Sequence, residues 1–193
     1  FTSTNGVVSG SGTTTDPYII EGWDIDATKG DTSTWPYIQV GIIVYDTTMN
    51  YVIRDCQIVN AETIGISLQM TSGRVEGCVI ENSYIGISIS DSMDVTIIEN
   101  IVEACENGIS GGSYSSSNIK LLNNTITDCT DVGIDFFNLY NSVATGNTVM
   151  DCFKGINVDK SLDSTISHNV VQGSTYEGID VSYSGWEKDN NTI

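Results

Sequence analysis

"GNTVMDCFKGINV", Gly146 to Val158, stands twenty-three residues after "NNTITDCTDVGIDF", Asn123 to Phe136. The second line nearly repeats the first, so an internal period is the first thing to test. The pair Gly-Ile marks it: Gly41-Ile42, Gly65-Ile66, Gly86-Ile87, Gly108-Ile109, Gly133-Ile134, Gly155-Ile156 and Gly178-Ile179. The intervals are 24, 21, 22, 25, 22 and 23 residues. Chance does not space seven copies so evenly.

Further columns keep the same period. Cys56, Cys78, Asn100, Asn124, Asn147 and Asn169 each lead a Gly-Ile by eight or nine residues, and Asn191 reads as the next member. Two residues on stand Ile58, Ile80, Val102, Ile126, Val149, Val171 and finally Ile193. Three residues before the column stand Ile53, Val75, Ile97, Leu121, Ala144 and Ile166; five after it stand Ala61, Ser83, Cys105, Cys129, Cys152 and Ser174. Such columns mark side chains that meet their own kind one repeat away.

Within the unit the period is two. Ile134 and Phe136 alternate with Asp135, Ile156 and Val158 with Asn157, Ile179 and Val181 with Asp180. That is the strand signature, and no sustained helical stripe competes with it. The strands are short, three to five residues, and Gly, Asn, Asp and Ser separate them. A coil of this length cannot bury its inward face alone, but a stack of coils can. The expected fold is all-β: a parallel β-helix, a solenoid of about seven rungs at roughly 4.8 Å each. The Asn column belongs in a turn, where Asn tolerates left-handed backbone angles and its amide reaches the next rung. The Gly of each Gly-Ile is expected to allow a sharp bend into the next strand. A leucine-rich repeat has a similar period but wants Leu where this chain has β-branched residues.

The pattern N-x-[IV]-x-x-[CS]-x-x-x-G-I-x-[IV] resembles the right-handed, single-stranded parallel β-helix repeat family. That family takes in NosD-like periplasmic proteins, pectate-lyase-like enzymes and archaeal cell-surface proteins. "GSGTTTDPYIIEGWDID", Gly10 to Asp26, looks like the opening segment of the archaeal surface members. The resemblance implies a fold for nearly the whole chain and leaves function open, because this scaffold carries lyases, hydrolases, adhesins and plain rods.

The chain of 193 residues reads as one domain, with 1–40 as N-terminal cap plus first rung and 41–193 as the remaining rungs. Ile20, Trp23 and Ile25 form a worn first rung. The net charge is −18, from 25 acidic residues against seven Lys or Arg. That argues against nucleic acid and anionic membrane surfaces as partners, since both attract basic patches. No apolar run is long enough to insert in a membrane. The expected location is extracellular, at a cell surface.

The outward positions of the Gly-Ile strand decide what chemistry is available. The first reads Ile43, Ser67, Ser88, Ser110, Asp135, Asn157, Asp180; the second reads Tyr45, Gln69, Ser90, Gly112, Phe137, Asp159, Ser182. Asp135, Asp159 and Asp180 are therefore the candidate catalytic carboxylates of a polysaccharide lyase or glycoside hydrolase. Paired carboxylates on one face are what glycoside hydrolysis needs, one as acid and one as base. Asp135, Asn157 and Asp180 are the candidate Ca²⁺ ligands, and no other cofactor is expected. Against both stands a plain reading: Asp, Asn and Ser are ordinary solvated residues on an outward strand. A lyase also wants a basic partner, and Lys154 reads as part of a turn. His168 has no catalytic partner in its column.

Three further expectations concern the rest of the surface. Asn123 and Asn190 each open an Asn-x-Thr triplet, the acceptor for an N-linked glycan. All five cysteines fall in inward columns and read as small buried hydrophobes. The C-terminal columns, ending at Asn191 and Ile193, offer an edge that Ile19, Ile20 and Trp23 of another copy would continue. The leading functional expectation is thus a non-catalytic structural protein of a surface layer or filament, assembled end to end and able to adhere, with polysaccharide as a candidate partner. The alternative is a carbohydrate-active enzyme or sugar-binding module using Asp135, Asp159 and Asp180.

Overall fold

In a computed structural model the chain winds into a parallel β-solenoid; residues 2–29, 39–111, 116–182 and 191–192 are described. Strands of two to six residues, slightly wider in range than the repeat suggests, build three long sheets, parallel except for the first strand of one of them. Sheet A has eight strands, from Val7–Ser9 to Thr165–Ser167. Sheet B has seven, from Asp24–Asp26 to Val170–Gln172. Sheet C has seven, from Ile42–Tyr45 to Glu177–Ser182, and holds every Gly-Ile except the glycine of the first. A small fourth sheet pairs Ser116–Ser117 with Leu139–Tyr140.

The register is the one the columns demand. On sheet C, Ile66, Ile87, Ile109, Ile134, Ile156 and Ile179 pair in succession. On sheet A the column runs Ile20, Ile53, Val75, Ile97, Leu121, Ala144, Ile166; on sheet B it runs Ile25, Ile58, Ile80, Val102, Ile126, Val149, Val171. These side chains fill the interior, and in the central coils most are fully buried. A one-residue slip would turn every one of them outward, so burial fixes the register.

The Asn ladder forms as expected, with one correction. Asn100, Asn124 and Asn147 are buried. Each Oδ1 accepts the backbone N–H one coil earlier: Asn100 from Cys78 at 2.9 Å, Asn124 from Asn100 at 3.0 Å, Asn147 from Asn124 at 2.9 Å, Asn169 from Asn147 at 2.9 Å. Their Nδ2 groups donate to the preceding sheet-A carbonyls of Val75, Ile97, Leu121 and Ala144. The left-handed backbone angle belongs to the residue before each Asn, not to the Asn itself: Glu99, Asn123, Gly146 and His168 carry positive φ. The preceding residue makes the bend, and the Asn side chain closes it.

The Gly-Ile glycine also has a different reason than a bend. It is not in the left-handed region. Its need is close approach: a Cβ on Gly65 would stand 2.7 Å from the Gly86 carbonyl oxygen and 2.5 Å from Ile80 Cγ2. Here one coil comes close to the next, and only hydrogen fits.

Asn191 departs from its expected column. Its Oδ1 accepts the Ser164 N–H at 3.0 Å, and Thr192 pairs with Thr165 on sheet A. Asn191 therefore extends the column of Ser142 and Ser164, whose own ladder bonds run along the turn into sheet A. The physical cause is loop length. Lys154 and Thr165 are eleven residues apart, whereas their partners Glu177 and Thr192 are fifteen apart. Four extra residues in that connection bring the chain back to sheet A where the repeat count alone would put sheet B. Ile193 and Asn190 lie outside the described residues.

The first coil also differs from expectation. Val7–Ser9 pairs antiparallel with Tyr18–Glu21 and covers the outer edge of sheet A. Ile20 is buried and Ile19 half-buried beneath it, so neither offers a free edge. Trp23 stays exposed, its Nε1 donating to the Gly6 carbonyl at 3.1 Å. Among the described residues, the edge strands at this end are Val7–Ser9 on sheet A, Asp24–Asp26 on sheet B and Ile42–Tyr45 on sheet C.

Candidate functional site

Sheet C brings the outward residues into two straight rows. Asp135, Asn157 and Asp180 are consecutive partners, and Phe137, Asp159 and Ser182 run beside them. The period-two alternation places them outward, and the Gly-Ile register stacks them. The sequence-based candidates are thus on one face, as expected, but each is differently engaged.

Asp135 is half-buried. Its Oδ1 accepts Asn157 Nδ2 at 2.8 Å and its Oδ2 accepts Ser110 Oγ at 3.5 Å. Burial pushes its carboxyl above the usual carboxylate range; the bonds from Asn157 and Ser110 oppose this, and the like charges of Asp131 and Asp159 add to it. Asp180 is tied instead to Lys154, whose Nζ lies 2.9 Å from its Oδ2 and 3.0 Å from Glu177 Oε2. That ion pair holds Asp180 below the usual range and Lys154 above its own. Asp159 has a buried Oδ1 with no hydrogen-bond partner among the described residues.

Lys154 is a correction. It opens the strand Lys154–Asp159 and belongs to this face, not to a turn. Glu177 is its counterpart on the next coil, and it was not among the sequence candidates. The signal was present: Lys154 and Glu177 immediately precede the glycines of consecutive Gly-Ile pairs. Among Asp135, Asn157 and Asp180, the structure joins only the first two by a hydrogen bond. No group of three His, Cys, Asp or Glu suited to a metal occurs among the described residues.

Further along the same face lies an open cleft of about 470 Å³. Ser67, Ser88 and Ser110 form its floor, and Asp135 and Phe137 close one end. Its lining is richest in hydroxyl groups. It suits an extended polar ligand lying across several coils.

The ionisation of Asp135 carries a testable sign. A carboxyl whose folded value is raised contributes stability that is fully present below its unfolded value, near 3.9, and is lost as pH rises through the folded one. Asp135→Asn keeps an oxygen facing Asn157 and removes the buried charge. It is expected to melt above the parent at pH 7, with the gap closing below about pH 3.9. A melting gap that is the same at both pH values would contradict the assignment.

All five cysteines, Cys56, Cys78, Cys105, Cys129 and Cys152, are free and buried. Cys105, Cys129 and Cys152 donate to the carbonyl two residues back, at 3.5, 3.8 and 3.3 Å, as Ser83 does at 3.3 Å. They are turn-closing residues that serine replaces. Burial pushes the Cys105 thiol up to about 11. Contact with a stacked thiol, and burial after it, raise Cys78 and Cys129 too. Contact with the stacked thiol lowers their partners Cys56 and Cys152. Because all five are buried, thiol counting is expected to find little reaction in the native protein and five groups in denaturant. Rapid native labelling of all five would refute this packing.

Three stacked parallel sheets around an aliphatic interior, with a polar outer row on one of them, define a β-solenoid of the single-stranded kind. Residues 40–193 match the right handed beta helix region, and the chain belongs to that family.

Proposed function

We propose that this chain is a non-catalytic structural β-helix of a cell surface or extracellular filament, whose sheet C face adheres to polysaccharide. One observation carries the first half of the reading. Asp135 and Asp180, two of the three carboxylates that catalysis would need, are bonded to side chains of neighbouring coils. They serve as rungs of the scaffold. The hydroxyl-lined cleft supports the adhesive half, because sugars are bound by convergent polar groups beside an aromatic such as Phe137. Catalysis is the competing reading; the unpartnered Oδ1 of Asp159 favours it, and Ca²⁺ on Asp135, Asn157 and Asp180 belongs with it.

End-to-end association is part of the proposal, through edges other than those of Ile19 and Ile20. Val170, Ile179 and Val181 are exposed on the last described strands of sheets B and C. At the first coil an apolar cavity of about 380 Å³ is lined by Ile20, Trp23, Ile25, Ile42 and Val44. Docking one on the other would extend the sheet B and sheet C columns in register, as a heterologous contact that does not close on itself.

One preparation tests both parts. Sedimentation across a dilution series is expected to show growth with concentration. Incubation with a panel of neutral and acidic polysaccharides is expected to show retention without release of reducing ends or unsaturated products. Product release that disappears in Asp135→Asn would replace this reading with the enzymatic one. A single species at every concentration would remove the assembly.

A further inference from the structure

We infer that Asn123 is an acceptor for an N-linked oligosaccharide, displayed on the turn between sheets A and B. The acceptor triplet is Asn123-Asn124-Thr125, and the structure separates the roles of its two asparagines. Asn124 is buried, and its Nδ2 is committed to Ile97 O at 3.0 Å and Asn147 Oδ1 at 2.9 Å. Asn123 is exposed, in the left-handed region at φ 53°, between the strands Lys120–Leu122 and Thr125–Thr127. Among the described residues its carboxamide has no hydrogen-bond partner, while its backbone N–H is held by Thr145 O at 3.1 Å. The backbone is thus pinned and the side chain is free.

Two neighbours shape the position. The equivalent turn residues of the other coils are Gly22, Asp55, Gly77, Glu99, Gly146 and His168, so among the described residues this column presents an asparagine only at Asn123. On the following coil it is Gly146, and a Cβ there would collide with Asn123 Oδ1. Glycine at 146 therefore leaves room for the Asn123 side chain on that side. Thr125 is half-buried at the start of its strand, with its position outward in register with Thr148. A sugar at Asn123 projects from a bend and displaces no ladder bond.

The donor is a lipid-pyrophosphate-linked oligosaccharide. Asn123 Nδ2 attacks the anomeric carbon. The new C–N bond forms as the anomeric C–O bond breaks, the lipid pyrophosphate leaves with the electron pair, and the amide proton passes to a base of the transferase. No oxidant or reductant is involved.

The test is secretion of the chain from a eukaryotic host, followed by glycopeptide mass spectrometry. Asn123 is expected to be modified in the parent, and peptide N-glycosidase is expected to leave aspartate at that position. Thr125→Ser should keep the sugar; Asn123→Gln and Thr125→Ala should lose it. Peptide mapping keeps the second triplet, at Asn190, separate. An unmodified Asn123 in secreted, folded chain overturns the inference, as does modification that persists in Thr125→Ala. Neither result bears on polysaccharide retention or sedimentation, so this inference and the proposed function stand or fall separately.

Discussion

Asn147→Ala is expected to lower the stability of the solenoid by about 3–5 kcal/mol, as much as a large core truncation. The residue closes one turn and serves two others. Its Oδ1 accepts both the backbone N–H and the Nδ2 of Asn124. Its Nδ2 donates to Leu121 O and Asn169 Oδ1, each at 2.9 Å. Alanine leaves these buried groups unpaired, and each buried orphan costs about 1–3 kcal/mol. Water is poorly placed to help, because Asn147 is fully buried. Chemical denaturation measures the loss; a change below about 1 kcal/mol would mean that the ladder is a by-product of packing and not a source of stability.

Ile156→Asp should cost at least as much, about 4 kcal/mol or more, by a different route. Ile156 is fully buried between Ile134 and Ile179. Among the described residues no cation faces that column, so the new carboxyl must either ionise unpaired or take up a proton. The second option is the cheaper, so the variant should recover part of its stability at low pH. Asp180→Ala, on the next coil one residue beyond Ile179 and outward, should change stability by about half a kcal/mol, since Lys154 keeps Glu177 as a partner. Equal losses for the two substitutions would refute the inward and outward assignment of sheet C.

The columns were legible in the sequence because parallel coils in register put identical chemistry at one spacing. Ile134 over Ile156, Asn124 over Asn147 and Cys129 over Cys152 each follow from position within the repeat. The outward row from Ser67 to Asp180 was equally legible, being the alternate set of the same strands. What stayed hidden was whatever the period does not encode. Lys154 and Asp180 sit in different columns, so no repeat predicts that they meet. Asn191 keeps the spacing of its supposed column, yet a longer connection delivers it to another sheet. The antiparallel strand Val7–Ser9 occurs once, and a single short strand has no second copy to reveal it.

The direction of the hydrogen bonds has a mechanical consequence. In all three long sheets the backbone bonds between coils point from one coil to the next, along the rod. Tension applied along that axis loads one coil boundary at a time, and the outermost coil peels before the next is strained. Each detached coil, such as the 22 residues from Ile134 to Ile156, would pay out roughly 75 Å of extended chain. A pulling experiment should record a train of small, evenly spaced releases, so that the rod behaves under load as a spool that yields in steps and absorbs work at each one.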